Sequence, residues 1–214
     1  MPTPAIKICG INTPASLDAA IRARADHVGF VFFARSPRFV DPAQAAALGT
    51  RGDGRIGKVG LFVDADDALL GDAVGSARLT AIQLHGAETP TRAAAIRARF
   101  GIPVWKAISV TTAQDVARAQ SYAGAADLVL FDAKTPAGTL PGGMGLSFDW
   151  TLVAHWKGPL AWGLAGGLNP GNVAEAVRLT GTPLVDTSSG VETAPGVKDD
   201  TLIAAFCRAA RGPD

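Results

Sequence analysis

The sequence predicts an α/β protein, a single-domain (β/α)8 barrel, and three observations carry that prediction. Eight short runs rich in Val, Ile, Leu and Phe alternate with eight longer Ala-rich segments that carry arginine at helical spacing. No Pro/Gly-rich linker is long enough to divide the chain, so residues 1–214 read as one barrel. Several helical segments open on Thr-Pro, Asp-Pro or Asn-Pro, a capping residue followed by proline in the first turn. An open doubly wound sheet is the alternative packing of the same alternation.

In chain order, "AIKICG" is the first strand and residues 14–25 the first helix, followed by "HVGFVFF" with a helix at 42–48. "GKVGLFV" precedes a helix at 67–76, and "AIQLHG" one at 90–100. "PVWKAI" leads to a helix at 113–122 and "DLVLFDA" to one at 148–155. "PLAWGLA" and "PLVDTSS" complete the strands, with helices at 170–179 and 200–211. The strands are short apolar runs bounded by Gly, Pro and Asp, as buried parallel strands are. The units recur at roughly 25 residues without sequence self-similarity, so the repeat is architectural. The segment "TRGDGRIG" before the third strand falls at the end of the barrel where strands begin.

Composition narrows the function. The chain is 48% hydrophobic with a mean hydropathy of +0.21, enough to bury a full core. Its 20 basic and 19 acidic residues are scattered, which argues against a nucleic-acid partner. No stretch approaches the uninterrupted apolar length of a membrane span, and the N-terminal residues lack a signal-like apolar region, so no membrane partner is expected. Cys9 and Cys207 form neither a disulfide framework nor a zinc cluster, and a cytoplasmic setting follows. The expected partner is a small molecule.

In a (β/α)8 barrel the active site lies where strands end, so the last side chains of each strand matter most. Side chains alternate along a strand. In the first, Ile6 and Ile8 share the helix-facing side, which turns Lys7 and Cys9 into the barrel. The same alternation turns Gln83 and His85 inward, then Leu128, Leu130 and Asp132, then Leu184 and Asp186. Cys9 thus lies at the mouth with Asp132 across it, and Asp186 is its neighbour where the eighth strand closes on the first. A thiol and carboxylates around one pocket suit proton transfer.

Two glycine-rich turns follow the last two strands, "LAGGLNPGNV" and "DTSSGVE". Backbone N–H groups unobstructed by side chains bind phosphate in these two loops of barrels. Gly166, Gly167, Ser188, Ser189 and Gly190 are therefore the expected phosphate contacts. Arg38 in "FFARSPR" reaches for a carboxylate or lies solvated beside a Ser-Pro turn; the residues alone leave both open.

Together, "KICGI", "SPR", "VGLFV", "QLHG", "FDAK", "GGMGLSFDW", "LAGGLNPGNV", "VDTSSGVE" and "PGVKD" resemble the phosphoribosylanthranilate isomerase family of tryptophan biosynthesis. The likeness runs from Lys7 to Asp199, and the joint order of the motifs makes it specific. It implies conversion of N-(5'-phosphoribosyl)anthranilate to 1-(o-carboxyphenylamino)-1-deoxyribulose 5-phosphate by an Amadori rearrangement, with no cofactor and no metal. It implies Cys9 as general base, Asp132 as general acid, Arg38 on the anthranilate carboxylate, and the two glycine-rich loops on the phosphate. Met144 in "GGMG" departs from the family's more usual threonine, between the retained Gly143 and Gly145. The expected partner is then a phosphosugar, and the expected assembly a monomer or homodimer. Another metal-free sugar-phosphate isomerase or epimerase on the same barrel is the alternative.

At pH 7 a free thiol is mostly protonated, so a cysteine base needs help. Lys7 and His85 are expected to draw Cys9 toward the thiolate, and an ionised Asp186 to oppose them. His85 either touches the substrate or is a satisfied core histidine, and Gln83 is expected to orient it. Lys7 and Lys106 are expected to serve ion pairs inside the barrel, with Asp186 a partner. Cys207, His27 and His155 read as structural.

Overall fold

Eight parallel strands close into one barrel in the computed structural model, which describes residues 3–133, 147–154 and 156–212. They are β1 (Ala5–Cys9), β2 (His27–Val31), β3 (Gly57–Phe62), β4 (Ala81–Leu84), β5 (Val104–Val110), β6 (Leu128–Ala133), β7 (Ala161–Leu164) and β8 (Leu184–Thr187). Each pairs with its neighbours in sequence, and β8 closes on β1 with Lys7 opposite Asp186. The helices are α1 (Pro14–Arg22), α2 (Pro42–Arg51), α3 (Asp67–Ser76), α4 (Pro90–Phe100), α5 (Ala113–Arg118), α6 (Val173–Thr180) and α7 (Asp200–Arg211). A short antiparallel pair, β9 (Glu192–Ala194) and β10 (Val197–Lys198), lies between β8 and α7.

The alternation along the strands builds two apolar layers. Ile6, Ile8, Phe30, Ile82, Val129, Phe131 and Val185 are buried between sheet and helices. Val59, Ala81, Trp105, Leu130, Ala165 and Leu184 fill the barrel itself. The Val, Leu, Ile and Phe side chains among them each stabilise the fold by about 1.5–3 kcal/mol when fully buried. Caps fix the helix starts: the side chains of Thr13, Asp41, Asp66, Thr89, Thr112 and Asp199 each accept a backbone N–H of the first turn.

Five helices differ from expectation, two of them only at their ends: α1 stops at Arg22 rather than 25, and α2 continues to Arg51 rather than stopping at 48. Residues 148–155 were expected to be helical; the described part forms a single 3-10 turn, Trp150–Leu152, and His155 lies outside the described residues. Bonds from Val153 N to Trp150 O and from Trp156 N to Val153 O continue the three-residue period. In that period residues three apart eclipse, so Trp150, Val153 and Trp156 line one side and pack on the core. Trp156 meets Phe131 edge-on, with ring centroids 5.2 Å apart. The seventh helix starts at Val173 rather than 170, because Asn169 Oδ1 accepts the Gly171 N–H and Asn172 Oδ1 accepts the Asn169 N–H, which fold the Asn-Pro-Gly-Asn segment into a turn. The fifth helix tightens into a 3-10 turn over Ala119–Tyr122, where the Tyr122 hydroxyl donates to the Glu88 carbonyl at 2.7 Å.

Candidate active site

The inward residues of β1 and β8 meet as the alternation predicts. Lys7 Nζ donates to Asp186 Oδ2 at 2.8 Å in a pair wholly removed from solvent on the lysine side. Burial is the largest influence and would lower the Lys7 ammonium, but Asp186 and Cys9 together outweigh it and hold Lys7 above the ordinary lysine range. Among the described residues Asp186 Oδ1 has no hydrogen-bond partner. Cys9 lies two residues beyond Lys7, 5% exposed, with Gly29 of β2 as its register partner. A β-carbon at Gly29 would sit 2.7 Å from the Cys9 sulfur and 3.2 Å from Lys7 Cε, so glycine there makes room for both.

The electrostatic expectation for Cys9 needs correction. Burial is the largest influence and pushes the thiol up; Lys7 pulls it down, Asp186 pushes it up and Lys198 pulls it down. The sum lies above the ordinary thiol range. Lys7 acts as expected, but the other cation acting on the thiol is Lys198 rather than His85.

On the opposite wall, Gln83 of β4 contacts His85 just beyond that strand, Nε2 to Nδ1 at 3.0 Å. His85 Nε2 in turn approaches Asp132 Oδ2 at 3.3 Å. With the amide nitrogen of Gln83 donating to Nδ1, the ring proton sits on Nε2 and faces Asp132. Asp132 is the last inward residue of β6, and its Oδ1 accepts the Ala133 N–H at 2.8 Å. Gly166 lies against this carboxylate with φ of +83°, and a β-carbon there would come within 3.0 Å of Oδ1. The charges of the two walls meet at Asp186: burial raises its carboxyl most and Lys7 lowers it, and behind these Asp132 raises it and His85 lowers it.

The glycine-rich loops border the same mouth. Gly166 and Gly167 both adopt positive φ, and the Gly167 carbonyl accepts from the side chains of Asn169 and Asn172. Ser188 Oγ donates to the Cys9 carbonyl at 3.1 Å, tying the loop after β8 to the end of β1. Ser189 and Gly190 lie in a 3-10 turn, Ser189–Val191. Gly190 packs so closely on the Leu168 carbonyl that no side chain fits there. Gly143, Met144 and Gly145 lie outside the described residues.

Arg38 reaches a carboxylate, and within the described residues that carboxylate belongs to the protein. Its Nε donates to Glu192 Oε1 at 2.8 Å and its Nη2 to Glu192 Oε2 at 2.7 Å, a bidentate fork. Lys198 Nζ donates to the same Oε1 at 2.7 Å, and also to the carbonyl and hydroxyl of Ser188. Burial would raise the Glu192 carboxyl, and Arg38 and Lys198 together hold it below the usual range. Glu192 and Lys198 escaped the sequence reading. Their signal is a Val-Glu and a Val-Lys flanking Pro195-Gly196, which a hairpin brings face to face.

Other residues lie apart from the mouth. Lys106 does not enter the barrel: Trp105 does, so Lys106 points among the helices and pairs with Glu88 at 3.0 Å. His27 begins β2 at the far end and meets Trp105 edge-on. Cys207 is buried on α7, and burial pushes its thiol up to about 11.

A closed barrel whose mouth gathers a thiol, three carboxylates, a histidine and buried cations defines the class as a single-barrel (β/α)8 enzyme. The chain belongs to the N-(5'phosphoribosyl)anthranilate (PRA) isomerase family, whose model matches residues 6–209. It is 53% identical over 208 residues to N-(5'-phosphoribosyl)anthranilate isomerase of Paramagnetospirillum magneticum, covering 97% of both chains. The crystal structure of phosphoribosyl anthranilate isomerase from Thermotoga maritima superposes with a TM-score of 0.88 at 34% identity, covering 98% of this chain and 100% of that one. A further structure of the isomerase, in complex with reduced 1-(o-carboxyphenylamino)-1-deoxyribulose 5-phosphate, gives a TM-score of 0.85 at 32% identity, with coverage of 98% and 100%.

Proposed function

We propose that this chain converts N-(5'-phosphoribosyl)anthranilate to 1-(o-carboxyphenylamino)-1-deoxyribulose 5-phosphate in tryptophan biosynthesis, with Cys9 as general base and Asp132 as general acid. The observation that supports these roles most directly is that Cys9 and Asp132 are the last inward side chains of β1 and β6 in one closed barrel. The substrate's ribose ring must open before its carbons can rearrange. Asp132 gives its proton to the ring oxygen as the anilino nitrogen lone pair forms the C1'=N bond and the C1'–O bond breaks. The resulting iminium acidifies C2'–H, and the Cys9 thiolate removes that proton. The electron pair forms C1'=C2' and neutralises the nitrogen, and the enol then tautomerises to the ketone. The sulfur makes no bond to carbon.

The loops containing Gly166, Gly167, Ser188, Ser189 and Gly190 would take the phosphate, whose position at the rim leaves the sugar carbons between the two walls. Arg38 would take the anthranilate carboxylate through its guanidinium. Two unpaired thiols fit a reducing, cytoplasmic setting. Among the described residues no helix is long and apolar enough to cross a membrane.

The test is the decay of anthranilate-type fluorescence when the purified protein meets freshly made phosphoribosylanthranilate in EDTA. Rapid loss is expected; decay no faster than the spontaneous background would remove the assignment. In the same assay Arg38→Ala is expected to raise KM at least about tenfold with a smaller change in kcat, the pattern of lost ground-state binding.

A further inference from the structure

The proposed mechanism leaves two buried charges at the mouth without a task, Glu192 and Lys198. Their side chains are 3% and 0% exposed, and both sit on the β9–β10 pair, where they are register partners. Charges this far from water need a reason to be there, because desolvating an ion costs several kcal/mol in a protein interior. We propose that Glu192 and Lys198 are positioning residues: Glu192 holds the Arg38 guanidinium in one plane at the mouth, and Lys198 holds Glu192. The proposal rests on reading Arg38 as the grip on the substrate's aromatic carboxylate.

The geometry supports each link. A guanidinium bound through both Nε and Nη2 to one carboxylate loses rotation about its terminal bonds, so its plane has a fixed orientation. Glu192 would swing with Arg38 unless it were anchored. Lys198 supplies the anchor, bridging Glu192 Oε1 to the carbonyl and hydroxyl of Ser188. Ser188 in turn bonds the Cys9 carbonyl. A continuous chain of contacts thus runs from the proposed carboxylate grip to the backbone of the proposed base. The hairpin is pinned on both sides: Asp199 N–H donates to the Val191 carbonyl, and the Asn12 side chain donates to the Gly196 carbonyl. Gly10 lets Arg38 cross beside it, since a β-carbon there would lie 2.5 Å from Arg38 Cδ.

Steady-state kinetics of Glu192→Gln test this. KM is expected to rise about tenfold with kcat within about threefold, because a neutral amide cannot pair with the whole fork. In an Arg38→Ala background the same change is expected to add less than about twofold, because Glu192 acts through Arg38. The charge-balanced variant Glu192→Gln/Lys198→Met is expected to reproduce the KM rise with a melting temperature close to that of the wild type. In the unmodified enzyme, the Arg38 Nε–H signal in ¹⁵N-arginine NMR is expected to stay slowly exchanging on titration with reduced 1-(o-carboxyphenylamino)-1-deoxyribulose 5-phosphate. Release of that proton to fast exchange would overturn the proposal even if every variant misfolded. A raised KM in Arg38→Ala with an unchanged KM in Glu192→Gln, or effects that multiply, would overturn the positioning role alone. An unchanged KM in Arg38→Ala would remove the reading of Arg38 and the proposal with it.

Discussion

Replacing Cys9 with alanine is expected to lower kcat at least about 10²-fold with little change in KM, because the variant loses the base while the binding loops stay in place. The substitution is gentle structurally. Ile6 and Ile8, on the other face of β1, keep their packing, and the Lys7–Asp186 pair does not depend on the sulfur for its 2.8 Å contact. A loss of activity with retained melting temperature therefore reports on chemistry. The same residue sets the pH profile of alkylation. The active form is the thiolate, and burial, opposed by Lys7 and Lys198, leaves the thiol above its ordinary range. At pH 7 the thiolate is then scarcer than the few per cent of a free cysteine, and each added pH unit raises it about tenfold until the raised pKa is reached. Alkylation by iodoacetamide, which needs the thiolate alone, should thus be slow below pH 7 and quicken through neutrality, whereas kcat does not simply follow it, because turnover also needs the proton on Asp132. Rapid alkylation in mild acid would instead mark a cysteine–imidazolium nucleophile. The geometry opposes that rival, since among the described residues His85 contacts Gln83 and Asp132 and makes no hydrogen bond to Cys9. Wild-type kcat in Cys9→Ala would sink the role assigned to the sulfur.

The placement of Cys9, Asp132, Gln83, His85 and Asp186 was legible because a strand alternates with a period of two and its helix-facing residues here are uniformly apolar. Where that contrast weakens, so does the reading. In β5 a tryptophan and a lysine are adjacent, and it is the tryptophan that fills the barrel; Val104, Lys106 and Ile108 share the other face, with Lys106 neutralised by Glu88. The 3-10 turn at Trp150–Leu152 was hidden for a related reason: spacings of three and of 3.6 are indistinguishable over so short a stretch. The partner of Arg38 was not legible at all. Glu192 lies 154 residues away, and nothing local to either residue encodes the closure of the barrel that joins them. The sign of the Cys9 shift was equally out of reach, since it depends on how much water the folded mouth excludes and on Lys198, which a distant hairpin delivers.

Asp132→Asn is expected to cost at least about 10²-fold in kcat, and its distinguishing feature is that it removes the acid while preserving the shape of the site. The asparagine oxygen can keep the Ala133 N–H bond that Oδ1 accepts at 2.8 Å, and Gly166 leaves room for the isosteric side chain. The amide nitrogen would then occupy the place of Oδ2, 3.3 Å from His85 Nε2. Two N–H groups cannot face each other there, so His85 must move its proton to Nδ1. That in turn requires Gln83 to present its amide oxygen, which has no partner among the described residues, to the ring. The rearrangement stays within three side chains, so KM should change little. Because ring opening precedes proton abstraction, the variant should stall before the iminium forms, and solvent deuterium should not enter C2' of recovered substrate. Cys9→Ala, in contrast, should still open the ring. Trapping with borohydride during turnover separates the two: reduced imine is expected with Cys9→Ala and not with Asp132→Asn, and the reverse pattern would exchange the roles assigned to the two residues.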